Sequence, residues 1–275
     1  MKKAFVIGDP IAHSLSPLIH GLWIKEHGLE ASYEPIAVTP EALPDFLARL
    51  RDGEFAGGNV TIPHKEAVIG LIDSVDPLAA KIGAVNTLVV RDGKISGSNT
   101  DYMGFLANLD AGAPGWDEGI SAALVLGAGG ASRAILAGLL DRGVSRIDLL
   151  NRSPARAEAL AAEFGPSVVP GPLTEFSRRA GAAGLVVNTS AVGMKGTAFE
   201  GIDLSALPEG AVVTDIVYTP LVTPLLAEAD AKGFAWVDGL GMLLHQAVPG
   251  FAAWFGPEPE VSLQLRQAVL GALGQ

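Results

Sequence analysis

Hydrophobic positions in the first third of the chain switch between two periods. Residues 4–7 form a short apolar run, residues 15–26 carry apolar side chains at helical spacing, and residues 32–38 return to a strand-like pattern. Thr39-Pro40 joins a capping side chain to a proline suited to a first helical position, so a helix is predicted from there to about Leu50. A strand is predicted over 58–62, in which Asn59 and Thr61 would share one face. Residues 84–90 and 94–98 alternate about Asp92-Gly93, a pair that favours a tight hairpin turn.

From about residue 120 the pattern changes. Residues 122–126 are continuously apolar, as in a strand buried on both faces. A helix over 131–142, a strand over 146–150 and a helix opening at Ser153-Pro154 follow, with buried-type strands over 185–188 and 212–216. Such alternation predicts parallel βαβ units. The end of the chain reads as helix over 241–255, interrupted at Pro249, and again over 258–273. The predicted class is α/β with two domains: an N-terminal α/β domain over 1–101, and a Rossmann-type doubly wound domain over 102–239. The pattern leaves open which of them the helices of about 240–275 join. Gly97 and Gly239 are candidate hinges.

Composition narrows the function. Apolar residues are 49% and charged ones 18%, enough to bury a core. Nineteen Lys and Arg against 30 Asp and Glu give a net charge of −11, which disfavours a nucleic-acid binder that neutralises phosphates. Cysteine is absent, so disulfides, thiol catalysis and cysteine-based metal sites are excluded. Mean hydropathy is +0.35, yet the most apolar stretch, 120–140, contains Arg133 and four glycines and does not read as a membrane span. The apolar run behind the N-terminal Met1-Lys2-Lys3 is too short for a signal-peptide core. The expectation is a cytoplasmic protein that binds neither membrane nor nucleic acid and holds no metal.

Candidate chemistry begins at Gly127-Ala128-Gly129-Gly130-Ala131-Ser132, between a predicted strand and a predicted helix. A tight turn with exposed amides at a helix N-terminus is a phosphate cradle, and the context points to a dinucleotide. The next strand ends in Asn151-Arg152-Ser153, with Arg156 one turn on, where an NAD-binding fold would carry an acidic residue. Two cations at a helix start oppose the helix dipole and call for a compensating anion, so NADP is favoured over NAD. In the first domain, polar residues recur in His13-Ser14-Leu15-Ser16-Pro17, Asn59-Val60-Thr61-Ile62-Pro63-His64-Lys65, Asn86-Thr87 and Asn99-Thr100-Asp101. Each segment alone reads as turn or capping chemistry; together they supply neutral donors, one Lys and one Asp, suited to a polyhydroxylated acid. His20 and His27 are expected on a helix surface, and Met242 and Gln246, four apart, on one helical face.

These motifs, with Gly83-Ala84-Val85-Asn86-Thr87-Leu88, Asn188-Thr189-Ser190-Ala191-Val192-Gly193-Met194, Asp215-Ile216-Val217-Tyr218-Thr219-Pro220 and Gly239-Leu240-Gly241-Met242-Leu243-Leu244-His245-Gln246, occur in an order that resembles the shikimate dehydrogenase family over essentially the whole chain. The resemblance implies reversible, NADPH-dependent reduction of 3-dehydroshikimate to shikimate in aromatic amino-acid biosynthesis, by a monomer or homodimer. It implies that Ser14 and Ser16 bind the substrate carboxylate, and that Asn59, Thr61, Asn86, Asp101 and Gln246 bind ring hydroxyls with Tyr218 nearby. Lys65 and Asp101 would be the catalytic pair. Gly127, Ala128, Gly129, Gly130, Ala131, Asn151, Arg152, Ser153 and Arg156 would hold NADP, with Asn188, Thr189 and Met242 along the nicotinamide and Ser190, Ile216 and Gly239 also in contact with the coenzyme. The family further implies that the C-terminal helices complete the first domain. Gly21, Ser132 and Ser153 depart from the usual pattern, and none removes a reacting group. An adjacent carboxylate favours a charged lysine, so Lys65 is expected to act chiefly as a charged donor to the developing alkoxide. Two other readings stand beside this one: an NAD-accepting quinate/shikimate dehydrogenase, and a non-enzymatic dinucleotide sensor, against which Lys65 and Asp101 both being present argues.

Overall fold

Strand β1 (Lys2–Gly8), buried from Ala4 onward, starts a computed structural model that describes residues 1–275. It is followed by α1 (Ser16–Glu26), β2 (Ala31–Ala37), α2 (Leu43–Arg51), β3 (Gly57–Val60), β4 (Ser74–Val75), α3 (Pro77–Ile82) and the hairpin β5 (Thr87–Arg91) and β6 (Lys94–Ser98). The sheet order is β2-β1-β3-β5-β6-β4, parallel around β1 and antiparallel from β3 to β6. Asp92 and Gly93 both have positive φ, 52° and 72°, as the tight hairpin turn requires. Under the sheet, Phe5 meets Phe46 and Phe55 edge to face, with centroids 4.8 and 5.1 Å apart. Three boundaries differ from expectation. β3 ends at Val60, so Thr61 lies in the following turn and not on the strand face of Asn59. β5 starts only at Thr87, because Val85 N–H bonds the carbonyl of Lys65 instead of a neighbouring strand. Pro40–Ala42 is a 3-10 turn, and the α-helix proper starts at Leu43.

The second series runs α4 (Asp101–Gly112), β7 (Ala122–Leu126), α5 (Gly130–Asp141), β8 (Arg146–Asn151), α6 (Pro154–Phe164), β9 (Val168–Pro172), α7 (Phe176–Ala180), β10 (Leu185–Asn188), β11 (Val212–Asp215), α8 (Pro224–Ala231), β12 (Ala235–Val237) and α9 (Leu240–His245). Its six strands are all parallel in the order β9-β8-β7-β10-β11-β12, the doubly wound arrangement of a Rossmann fold. β9 and β12 escaped the sequence reading because both are short edge strands, and β9 carries Pro170 and Pro172, tolerated at an edge where one side of the ladder is unpaired.

The chain thus forms two α/β units, Met1–Asp101 with Leu244–Gly274, and Tyr102–Leu243 with Gln275. Helices α10 (Ala247–Phe255) and α11 (Leu263–Leu273) pack in the first unit, where Trp254 Nε1 donates to the Leu88 carbonyl at 2.8 Å. That contact requires glycine at Gly57, whose φ is +149° and whose Cβ would collide with Leu88 O and Trp254 Nε1. The helix break falls at Gln246 and not at Pro249. Pro249 sits in the first turn of α10, where an N–H has no intrahelical partner to lose. Gly97 lies inside β6 with Ile72 and Val85 filling its Cβ space, and a Cβ on Gly239 would stand 2.5 Å from the Ile216 carbonyl.

His20 is the largest departure from expectation in this unit. Its position on α1 reads as surface, but the side chain is fully buried, stacked on Tyr33 at 4.0 Å and near-parallel to Phe251 at 5.9 Å, with Trp23 and Trp254 around it. The return of α10 over α1 creates this aromatic box, and α1 by itself contains no sign of it. Neither ring nitrogen has a hydrogen-bond partner. Burial lowers the His20 pKa to about 3, opposed only in part by the nearby Asn59 side chain. The unfolded imidazole takes up its proton near 6.5, so the stability present above that pH is lost as pH falls toward the folded value. Each unit of difference is worth about 1.4 kcal/mol. His20→Phe, which keeps an aromatic plate, is expected to flatten the fall of Tm between pH 6.5 and 3. A slope identical to that of the parent protein would show that another group controls acid unfolding.

Candidate active site

In the first unit the polar segments converge at the ends of β3, β5 and β6. Two hydrogen bonds pin the turn after β3: His64 Nε2 lies 2.7 Å from the Val38 carbonyl, and Val85 N–H donates to Lys65 O at 2.8 Å. His64 is thereby buried and occupied, and Lys65 projects from a fixed base. Lys65 Nζ donates to Asp101 Oδ2 at 2.6 Å, with side chains 28% and 13% exposed, so the pair is sheltered yet reachable. Asp101 Oδ1 accepts from Asn86 Nδ2 at 2.7 Å. Asn86 Oδ1 in turn accepts from Thr100 N–H at 2.8 Å and from Thr87 Oγ1 at 2.9 Å. One Asn86 amide hydrogen is therefore left for a ligand. Asn59 differs: its Nδ2 faces the Asn86 carbonyl and Thr87 Oγ1, and its Oδ1 accepts from Tyr33 Oη at 2.6 Å, leaving only acceptor capacity. The N-cap of α1 is Leu15, so Ser16 is not the capping residue, and Ser14 Oγ accepts the Ser16 N–H at 3.3 Å. Ser14, Ser16, Thr61 and Gln246 are each half-buried.

In the second unit the functional candidates gather where β7 and β10 diverge, the switch point at which open α/β sheets bind ligands. Gly127 has φ +113°, and a Cβ there would press on Ser190 and Thr189 at 3.0 Å. Gly129 and Gly130 face open space, and they start α5 with its first-turn amides directed outward. This bare cradle fits a pyrophosphate. Ser132, a departure from the glycine pattern, is fully buried and structural: its Oγ accepts from Gly129 N–H at 3.0 Å and lies 2.9 Å from Gly127 O and 2.8 Å from Thr189 Oγ1. Past β8, Asn151 Nδ2 caps the Ser153 carbonyl at 2.9 Å. Arg152 and Arg156 are exposed there, whereas Arg133 and Arg146 are paired with Glu163 and Asp148. Thr189, Ser190, Ile216 and Tyr218 line a cavity of about 350 Å³ with Ala191, Met194, Val217 and Thr219. Tyr218 thus stands with the residues expected at the coenzyme, and burial raises its pKa. Met242 is on α9, while Gln246 is the cap of α10, so the two do not share one helix. No group of three or more His, Asp or Glu is placed to hold a metal ion, and no helix is long and apolar enough to cross a membrane.

One support of this cavity stood in a quoted motif but was given no role from the sequence. Asp215, fully buried at the end of β11, accepts from Asn188 Nδ2 at 2.9 Å, Val217 N–H at 2.9 Å and Thr223 Oγ1 at 2.7 Å. Burial raises its pKa, and the three donors oppose the shift. Through Asn188, whose Oδ1 accepts from Ser190 N–H and Oγ, Asp215 ties the loops after β10 and β11 together. Tyr33 is a further residue of the first site that the sequence did not mark, since an aromatic residue in a strand gives no polar signal.

Family profiles described as "Shikimate dehydrogenase substrate binding domain" and "Shikimate / quinate 5-dehydrogenase" match residues 6–88 and 118–221. Shikimate dehydrogenase (NADP(+)) of Sinorhizobium fredii is 55% identical over 272 residues, covering 98% of this chain and 95% of that protein. The crystal structure of shikimate 5-dehydrogenase from Thermus thermophilus, in complex with NADP(H) and shikimate, matches with a TM-score of 0.85 at 41% identity over 99% of this chain and 100% of its own. Quinate dehydrogenase from Corynebacterium glutamicum in complex with NAD matches with a TM-score of 0.89 at 32% identity, over 98% of this chain and 99% of its own.

Asp215→Ala is expected to leave the Asn188, Val217 and Thr223 donors unpaired, at about 1–3 kcal/mol for an orphaned buried group. Denaturant unfolding of the pure variant checks this, and a midpoint equal to the parent's would show the loops are held by other contacts.

Proposed function

The chain belongs to the shikimate dehydrogenase family, and on that premise we propose that it is an NADP-dependent shikimate dehydrogenase, reversibly reducing 3-dehydroshikimate to shikimate in the chorismate pathway. The observation that carries the reading is the Lys65–Asp101 pair, 2.6 Å apart among neutral hydrogen-bonding side chains. Ketone reduction places a hydride on carbon and a proton on oxygen, and bound NADPH supplies the hydride. Lys65 holds its ammonium against the substrate oxygen, where negative charge develops, and donates to it; Asp101 fixes the ammonium in place. Asn86 fixes Asp101 in turn and offers its remaining N–H to a ring hydroxyl. Ser14 and Ser16 receive the substrate carboxylate. Thr61 and Gln246 bind ring hydroxyls, Asn59 contributes as an acceptor through Oδ1, and Tyr218, in the cavity with Thr189 and Ser190, reaches the substrate from the coenzyme side.

The coenzyme cradle is the outward-facing turn from Gly127 to Ala131, braced by Ser132. Arg152 and Arg156, with Asn151 and Ser153, bind the 2′-phosphate, a role supported by their exposure without a carboxylate partner. Asn188, Thr189 and Met242 lie along the nicotinamide, with Ser190, Ile216 and Gly239 also in contact with the coenzyme. The domain division that goes with this reading is 1–101 plus the C-terminal helices for substrate and 102–239 for coenzyme, in a cytoplasmic monomer or homodimer.

Lys65→Ala is expected to lower kcat by about 10²–10⁴-fold while NADPH affinity, measured by fluorescence titration, stays nearly unchanged. Near-normal turnover would remove Lys65 from the reaction. Arg152→Ala with Arg156→Ala is expected to lower kcat/KM for NADPH and not for NADH. Equal efficiencies of the two coenzymes in the parent protein would favour the NAD-accepting alternative. No change in nicotinamide absorbance with shikimate and either oxidised coenzyme would overturn the whole assignment.

A further inference from the structure

The hydrogen bonds behind the catalytic pair run in one direction, and two groups force that direction. The Asn86 carbonyl can only accept, so the Asn59 amide at 3.1 Å must turn its Nδ2 toward it. The Thr100 backbone N–H can only donate, so the Asn86 amide must turn its Oδ1 toward it, at 2.8 Å. With both amides oriented, the shortest contacts mark out a line of donors, beside which the Thr100 hydroxyl lies 3.2 Å from Thr87 Oγ1 and donates to Asn86 Oδ1 at 3.3 Å. Tyr33 Oη donates to Asn59 Oδ1 at 2.6 Å, Asn59 Nδ2 to Thr87 Oγ1 at 3.2 Å, and Thr87 Oγ1 to Asn86 Oδ1 at 2.9 Å. Asn86 Nδ2 then donates to Asp101 Oδ1 at 2.7 Å, and Lys65 closes the other end on Oδ2 at 2.6 Å. Tyr33, flat against His20, has its pKa pushed well above the ordinary tyrosine value by burial, so it remains a donor across the working range.

We propose that Thr87 is a positioning residue for the reaction: its buried hydroxyl links the Tyr33–Asn59 arm to Asn86, and so sets the angle at which Asp101 presents Lys65. Thr87 is 2% exposed, so it acts through its neighbours and not by touching the substrate. Its hydroxyl is the one group in the line that both accepts from Asn59 and donates to Asn86. Valine has the same shape and can do neither. It leaves an Asn59 hydrogen facing a methyl group, and Asn86 keeps Thr100 but loses a restraint on its amide plane. Serine retains both bonds. The proposal rests on the reading of Lys65 and Asp101 as the reacting pair. An inactive parent protein would defeat that reading, whereas an active parent with an indifferent Thr87 would defeat only this one.

The test compares Thr87→Val, Thr87→Ser and Tyr33→Phe in the full chain. Thr87→Val is expected to lower kcat about tenfold or more, with KM for NADPH within about twofold, and to displace the pH profile of kcat because the Lys65–Asp101 geometry has changed. Thr87→Ser should recover turnover to within about threefold of the parent, with the parent's pH profile. Tyr33→Phe should shift the profile in the same direction, and combining it with Thr87→Val should cost less than the sum of the two, as for members of one line. A parent-like kcat and pH profile in Thr87→Val overturns the proposal, as does a serine variant as impaired as the valine one. Should Thr87→Val fail to fold, the serine and phenylalanine variants decide: a phenylalanine variant with an unmoved pH profile overturns the proposal, and a displaced profile alongside a parent-like serine variant supports it.

Discussion

Placing one ammonium group reproducibly is difficult for a lysine, which hangs on four rotatable methylene groups. This protein fixes it from the far side. Asp101 takes Lys65 on one oxygen and Asn86 on the other, and Asn86 is saturated at its own oxygen by Thr100 and Thr87. Each of these groups is buried or half-buried, so a lost partner leaves a polar atom without water to replace it. Low exposure therefore makes the orientation of a neutral amide, not the strength of the ion pair, the constraint on which the rest depends.

The second unit solves a comparable problem with backbone. A glycine turn that approaches a phosphate closely has little intrinsic stiffness, and Ser132 supplies it by tying Gly129 N–H and Gly127 O inside the loop. Below the neighbouring cavity, Asp215 gathers three neutral donors from two loops. Both supports are fully buried. The glycines stay open and the arginines exposed, while a hydroxyl and a carboxylate out of reach of solvent hold the loops in shape.

Much of this was legible in the chain. The buried strands at 122–126 and 185–188, the hairpin at Asp92-Gly93 and the glycine turn before α5 all appear where local pattern puts them, because period, turn chemistry and capping are short-range properties. Edge strands β9 and β12 were not legible: an edge strand needs little apolar pattern and tolerates proline. Thr61 left the strand face because β3 ends at Val60, and Pro249 did not break its helix because the break had already occurred at Gln246. Ser132 read as a tolerated deviation until its partners were in view.

By itself the sequence determined the class of fold, the place of the dinucleotide turn, the cations beside it and the motif order that marks the family, all carried by residues near one another in the chain. Tertiary structure decided which polar side chains are spent on one another and which remain for a ligand. His20 became an aromatic plate because α10 folds over it, Asn59 lost its donors to Asn86 and Thr87, and Tyr33 acquired a function in orienting an amide. Hydrogen-bond capacity is shared among groups that meet only in space, so no spacing rule along the chain can assign it.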